Sequence, residues 1–247
     1  MNKPSWKIPL LILIPGTLWG LAFILTEVAL DTIPPFTLTF WRGLLTSGSL
    51  LGLMYWVGGR LPRGWQAWWP YLVMGALNNA IPFVLTSWGQ VYIDSGRATI
   101  LVSTMPLFTV ILAHFFTEDE KLTRFRLMGI GLGLVGVLVL IGPSALNGDG
   151  GPLWAQTIVI VSALSYAAAA IFSRFYLRER KSVSKHPLAP LMEVSAAQYS
   201  SSTLMLMPLS LIFDRPWTLQ PSMASLAALF ALATVLTVTA VLIYFYL

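Results

Sequence analysis

Eight runs of mainly apolar residues, each about as long as a bilayer is thick, dominate this 247-residue sequence. They lie at roughly 8–30, 36–57, 70–92, 96–116, 125–143, 153–176, 191–213 and 222–246. A helix needs about 20 residues to cross the hydrocarbon core. A spanning segment must also satisfy its own backbone hydrogen bonds, which restricts it to helices or closed barrels. Barrel strands are alternating segments of about ten residues, so runs of this length predict helices. Only 10% of the residues are charged, against about a quarter in soluble domains. A water-soluble fold could not hide this much apolar surface. The expected class is therefore an all-α, polytopic integral membrane protein. The first run follows Lys3 and Lys7, as a signal peptide's would, but it is too long and lacks a small-residue cleavage site. It is expected to be an uncleaved first span. With no cysteine in the chain, neither disulfides nor thiol chemistry is expected.

Lysine and arginine predict the orientation. One side of the expected bundle holds Lys3, Lys7, Arg60, Arg63, Lys121, Arg124, Arg126, Arg174, Arg178, Arg180, Lys181 and Lys185. The other holds Arg97 and Arg215. This asymmetry predicts a cytoplasmic N-terminus. It also accounts for the net charge of +5 without a nucleic-acid partner. Tyr55, Trp56, Trp65, Trp68, Trp69 and Tyr71 fall beside the loop after span two and read as an interfacial belt.

The spans carry a weak internal repeat. "WGLAFILTEVAL" (19–30) in span one aligns with "YAAAAIFSRFYL" (166–177) in span six. Span two, laid on span seven from Pro34 and Pro190, places Arg42 opposite Gln198. Spans three and eight end in "VYI" and "FYL". A repeat of five spans makes an odd number of crossings, so a second copy is inverted, as in many carriers. The expected units are 1–147 and 148–247, the second with three helices in place of five.

Several stretches resemble the EamA-type branch of the drug/metabolite transporter superfamily, ten-helix carriers of bacterial inner membranes. They are "LWGLAF", "IPPFTLTFWRGLL", "NNAIPFVLTSWGQVYIDSGRATILVSTMPLFTVILAHFFTEDEKLT" and "GIGLGLVGVLVL". The resemblance is specific to about residue 143 and looser to 247. It implies efflux of amino acids, other metabolites or drugs across a bacterial inner membrane. The sequence departs from it twice. Glu27 stands where many relatives have a lysine, and the last two helices of the ten-helix design are absent.

Polar groups inside the spans nominate the site. An arginine at a helix centre costs roughly 2.5–3.5 kcal/mol on insertion scales, so Arg42 needs a partner or a purpose. Glu27 and Arg42 flank "DTIPP" at similar depth and are expected to pair. The pair would be a structural clamp, an outer gate, or an anchor for an anionic group such as a carboxylate. Glu27 is also a candidate carrier of a coupling proton. Asn78 and Asn79 are paired amides inside span three, and Pro82 is expected to break that helix near the midplane, where carriers place substrate sites. The other reading is amides as interhelical glue. In span four, Ser103 and Thr104 precede Pro106 and are expected to cover the carbonyls it frees. Met105 there suits varied apolar cargo. Trp19, Trp88, Tyr92, Tyr166 and Tyr244 are the aromatic candidates for an apolar pocket, against a plain packing or lipid-facing role. Gly129, Gly131, Gly133 and Gly136 in span five include a GxxxG and read as close helix packing. "TEDEK" (117–121) reads as a solvated loop, and His114 and His186 are too far apart in sequence to suggest a metal site.

No phosphate-binding glycine loop occurs, so ATP hydrolysis is not expected. A membrane-embedded enzyme would need clustered catalytic groups at depth, and the sequence offers none. No cofactor or metal is expected. The expected partners are a small-molecule substrate and the lipid bilayer, with a homodimer or completing helices left open. A partner-dependent or non-functional fragment of a carrier is the alternative function.

Overall fold

The computed structural model describes residues 7–118, 120–147, 150–177, 184, 186 and 188–244. Among these, eight helical rods follow one another with no strand. They are α1 (Lys7–Leu30), α2 (Pro35–Trp56), α3 (65–90), α4 (Ser95–Phe116), α5 (Arg124–Asn147), α6 (Leu153–Tyr176), α7 (189–214) and α8 (223–244). Each coincides with one expected run to within a few residues.

Three described stretches are long and apolar enough on their own to cross a membrane: Ser95–Phe116, Leu153–Tyr176 and Met223–Val241. The lower hydropathy of α2 and α7 has a structural reason. Their polar residues are turned into the bundle. Thr37, Thr39, Thr46 and Ser47 of α2 are buried, as are Ser195, Gln198, Ser201, Ser202 and Thr203 of α7. These two helices make the most extensive helix pair in the fold. Conversely, Phe125, Leu127, Met128, Leu132, Leu138 and Val139 of α5 are all exposed. Large apolar residues outside and small or hydroxylated ones inside are what a bilayer solvent selects, because lipid offers no hydrophobic reward for burying leucine.

Packing is not sequential. α1 lies mainly against α8 and α4, and only slightly against α2. α3 lies against α6 and α7, and α4 against α6. Exchanging α1, α2 and α3 for α6, α7 and α8 maps the α1–α8 contact onto α6–α3 and leaves α2–α7 in place. α3 and α8 share a further feature. Each is interrupted in mid-course by a π-helical segment, Gly75–Ala80 in α3 and Ala231–Leu236 in α8.

The glycines correct one expectation. Nothing lies within 4 Å of a Cβ placed on Gly129, Gly131 or Gly136, and only Gly133 abuts a neighbour, the Leu107 side chain at 2.7 Å. Close approach is made by α3 instead. A Cβ on Gly75 would sit 2.7 Å from the Gln198 carbonyl oxygen, and one on Gly89 would collide with Val159. The reason is position: α5 lies at the rim of the bundle, whereas α3 is wedged between α6 and α7.

Candidate functional site

The site begins with the π segments that interrupt α3 and α8; a third, Ser210–Asp214, closes α7. In α3, Pro82 lacks an N–H, and its ring would clash with the carbonyl four residues back in a regular α-helix. The wide turn at Gly75–Ala80 absorbs that conflict, and regular helix resumes at Ile81–Gln90. The break expected at Pro82 therefore lies just before it. A π turn leaves carbonyls imperfectly satisfied and is frequent at functional sites. Here a neighbouring hydroxyl reaches each of the two interrupting segments. The Ser165 Oγ of α6 donates to the Leu77 carbonyl at 2.7 Å. The Thr46 Oγ1 of α2 donates to the Ala233 carbonyl at 2.9 Å. Within α8, Thr237 Oγ1 donates to the Leu232 carbonyl at 2.7 Å.

Arg42 lies between these segments. It is seven residues into α2, about 10 Å from that helix's start at 1.5 Å per residue. Its guanidinium carbon lies over the Phe83 ring of α3, 4.0 Å from the centroid. Nη2 donates to Thr237 Oγ1 at 3.4 Å, while Nε is buried with no hydrogen-bond partner. Tyr166 of α6 and Tyr199 of α7 are within electrostatic reach of the guanidinium, and both pack in the apolar cluster that contains Phe83. Asn78 Nδ2 donates to Gln198 Oε1 at 3.5 Å. Asn79 is 1% exposed, and neither its Nδ2 nor its Oδ1 has a partner.

The expected ion pair does not form. Glu27 is exposed at the end of α1, where its Oε2 accepts a hydrogen bond from the Ser95 amide at 3.1 Å. The ion pairs among the described residues are Arg97–Asp94 and Arg174–Glu120. The expectation treated α1 and α2 as a packed hairpin. In the fold they diverge: Glu27 meets the start of α4, and Arg42 turns toward α3 and α8.

Of the remaining candidates, the structure gathers Tyr166 into the group around Arg42, sets Asn78 against Gln198, and separates the others. Trp19 is 55% exposed on α1. Trp88 and Tyr92 join an aromatic chain at the loop end of the bundle. It runs Phe213–Phe36–Trp88–Trp154–Tyr92, with ring centroids 4.7–6.4 Å apart. Ser103 and Pro106 are exposed and Met105 is half-buried, at a kink in α4. There Ser103 Oγ donates to the Thr99 and Ile100 carbonyls and Thr104 Oγ1 to that of Leu101. The side chain of Tyr244 lies outside the described residues. Sequence reasoning did not nominate Phe83, Gln198, Tyr199 or Thr237. Gln198 carried the one usable signal, its alignment opposite Arg42. A separate surface cleft of about 580 Å³ lies at the loop between α2 and α3, lined by Arg60, Arg63 and Trp68 among others.

Comparisons with known proteins agree on the class. A match to the EamA-like transporter family covers residues 6–142. The chain is 27% identical to the uncharacterized transporter YoaV of Bacillus subtilis over 87% of its own length and 71% of that protein's. It is 24% identical to the uncharacterized inner membrane transporter YedA of Escherichia coli, over 93% of this chain and 70% of YedA. A solved crystal structure superposes with a TM-score of 0.59 at 18% identity, covering 94% of this chain and 78% of its own.

Proposed function

Because the chain belongs to the EamA-like transporter family, we propose that it is a secondary carrier exporting small metabolites, such as amino acids or drugs, by alternating access. That it is a membrane transporter follows from the family and the fold. The finer reading is supported above all by one observation: the Arg42 group lies between two helices, α3 and α8, that are both interrupted by a π segment. Interrupted helices near the bilayer midplane are where carriers bind cargo. We further propose that 1–147 and 148–247 are inverted repeats, in keeping with the exchange symmetry of the contacts. The proposed setting is a bacterial inner membrane with the N-terminus cytoplasmic, in keeping with the lysine and arginine asymmetry.

Two measurements test this reading. Proteoliposomes holding the chain are preloaded with single radiolabelled amino acids or organic acids, and exchange with external label is followed. Carrier action predicts saturable exchange of at least one compound, lost in Arg42→Gln. Equal exchange in empty vesicles for every compound would sink it. Orientation is read by single cysteines at the exposed positions 31 or 123 and a membrane-impermeant maleimide, since the chain has no cysteine of its own. Labelling from outside intact cells at 31 and not at 123 is expected; the reverse overturns the assignment.

A further inference from the structure

Arg42 is the feature that the packing of this bundle does not explain. Arginine offers five N–H donors in a planar fork and cannot be relieved by deprotonation. Here one face of the fork is taken by Phe83, Nη2 makes a single long bond at 3.4 Å, and the buried Nε makes none. A buried cation is ordinarily paired. Among the described residues, no carboxylate lies within ion-pairing distance of Arg42. The polar groups placed against it are the phenols of Tyr166 and Tyr199 and the hydroxyl of Thr237. None adds a formal charge at neutral pH, so the group carries a net charge of +1. Arg42, Asn78 and Tyr166 are half-buried, not sealed.

From this we infer that the cargo carries a single carboxylate on an apolar body, and that Arg42 binds the carboxylate through guanidinium donors that the packing leaves unpaired. The inference rests on the carrier reading and specifies its substrate class. Charge balance selects a monoanion. A phosphate dianion would leave one charge unmatched at mid-depth, and an amine would meet a like charge. The geometry of the fork matches the two oxygens of a carboxylate. Beside the guanidinium lie the aromatic rings of Phe83 and Tyr199, which suit a hydrophobic body. A zwitterionic amino acid fits less well, because no acidic side chain in the group is placed to receive its ammonium.

The test is a charge series on one shape. Phenylacetate, phenylacetamide, phenethylamine, phenylalanine and phenyl phosphate are titrated calorimetrically into the purified full chain in detergent. Phenylacetate is expected to bind at least tenfold more tightly than any other. Arg42→Gln is expected to lose that preference, and Arg42→Lys to keep only part of it, since an ammonium cannot make the paired contact. The wild-type series decides the matter even where Arg42→Gln does not fold. Equal binding of acid and amide, or tighter binding of the amine, of phenylalanine or of phenyl phosphate, overturns the carboxylate assignment and leaves the carrier reading standing. An absence of binding across the series, together with no exchange in proteoliposomes, overturns both.

Discussion

The Arg42 guanidinium lies 4.0 Å above the Phe83 ring, while Glu27 accepts its hydrogen bond from the Ser95 amide at the start of another helix. The cation and the carboxylate that flank one short loop are thus committed to different parts of the bundle. Glu27→Ala and Arg42→Ala are expected to be additive in a double-mutant cycle of thermal unfolding in detergent, within about 0.5 kcal/mol. A coupling above about 1 kcal/mol would show that the two charges meet after all.

Asn79 is buried at 1% exposure with both amide atoms unpartnered. An amide that makes no hydrogen bond contributes nothing to stability and carries its desolvation cost. Asn79→Leu is therefore expected to unfold at the same temperature as the wild type or higher, and to exchange substrate more slowly. A stability loss of more than about 1 kcal/mol, the net worth of one hydrogen bond, would contradict this.

The hydroxyls on the π segments are expected to be stabilising. Ser165→Ala leaves the Leu77 carbonyl without its donor, and Thr46→Val does the same to Ala233. Each is expected to cost about 1 kcal/mol in detergent unfolding, near the upper range for interhelical bonds in membranes. Thr109→Val is the control. Its Oγ1 donates to the Met105 carbonyl within its own helix, so no bond between helices is lost and no cost of that kind is expected.

The glycines separate by position. Gly75→Ala and Gly89→Ala are expected to lower stability by about 1–3 kcal/mol through overpacking, because the Gln198 carbonyl and the Val159 side chain already occupy the space. Gly129→Ala and Gly136→Ala, with nothing within 4 Å, are expected to be neutral or slightly stabilising from helix propensity. Unfolding midpoints of the four variants check the order.

Much of the architecture was legible because hydrophobic length is a local property. The sequence by itself determined eight helices and their ends to within a few residues, since a bilayer demands about 20 apolar residues per crossing. It marked Arg42, Asn78 and Asn79 as anomalous, since a polar group at depth is costly wherever the helix goes. It also placed Gln198 opposite Arg42 through a faint repeat. It could not say which helices touch. Lipid is as apolar as leucine, so hydrophobicity does not choose partners in a membrane; small residues and hydroxyls do, by fit. Only the tertiary structure decided that α2 leaves α1 for α7, sending Glu27 to Ser95 and Arg42 to Phe83. Only it gathered Tyr166, Tyr199 and Thr237 from three separate spans around one guanidinium. Its buried Nε is left unpaired because no described helix packed there brings it an acceptor.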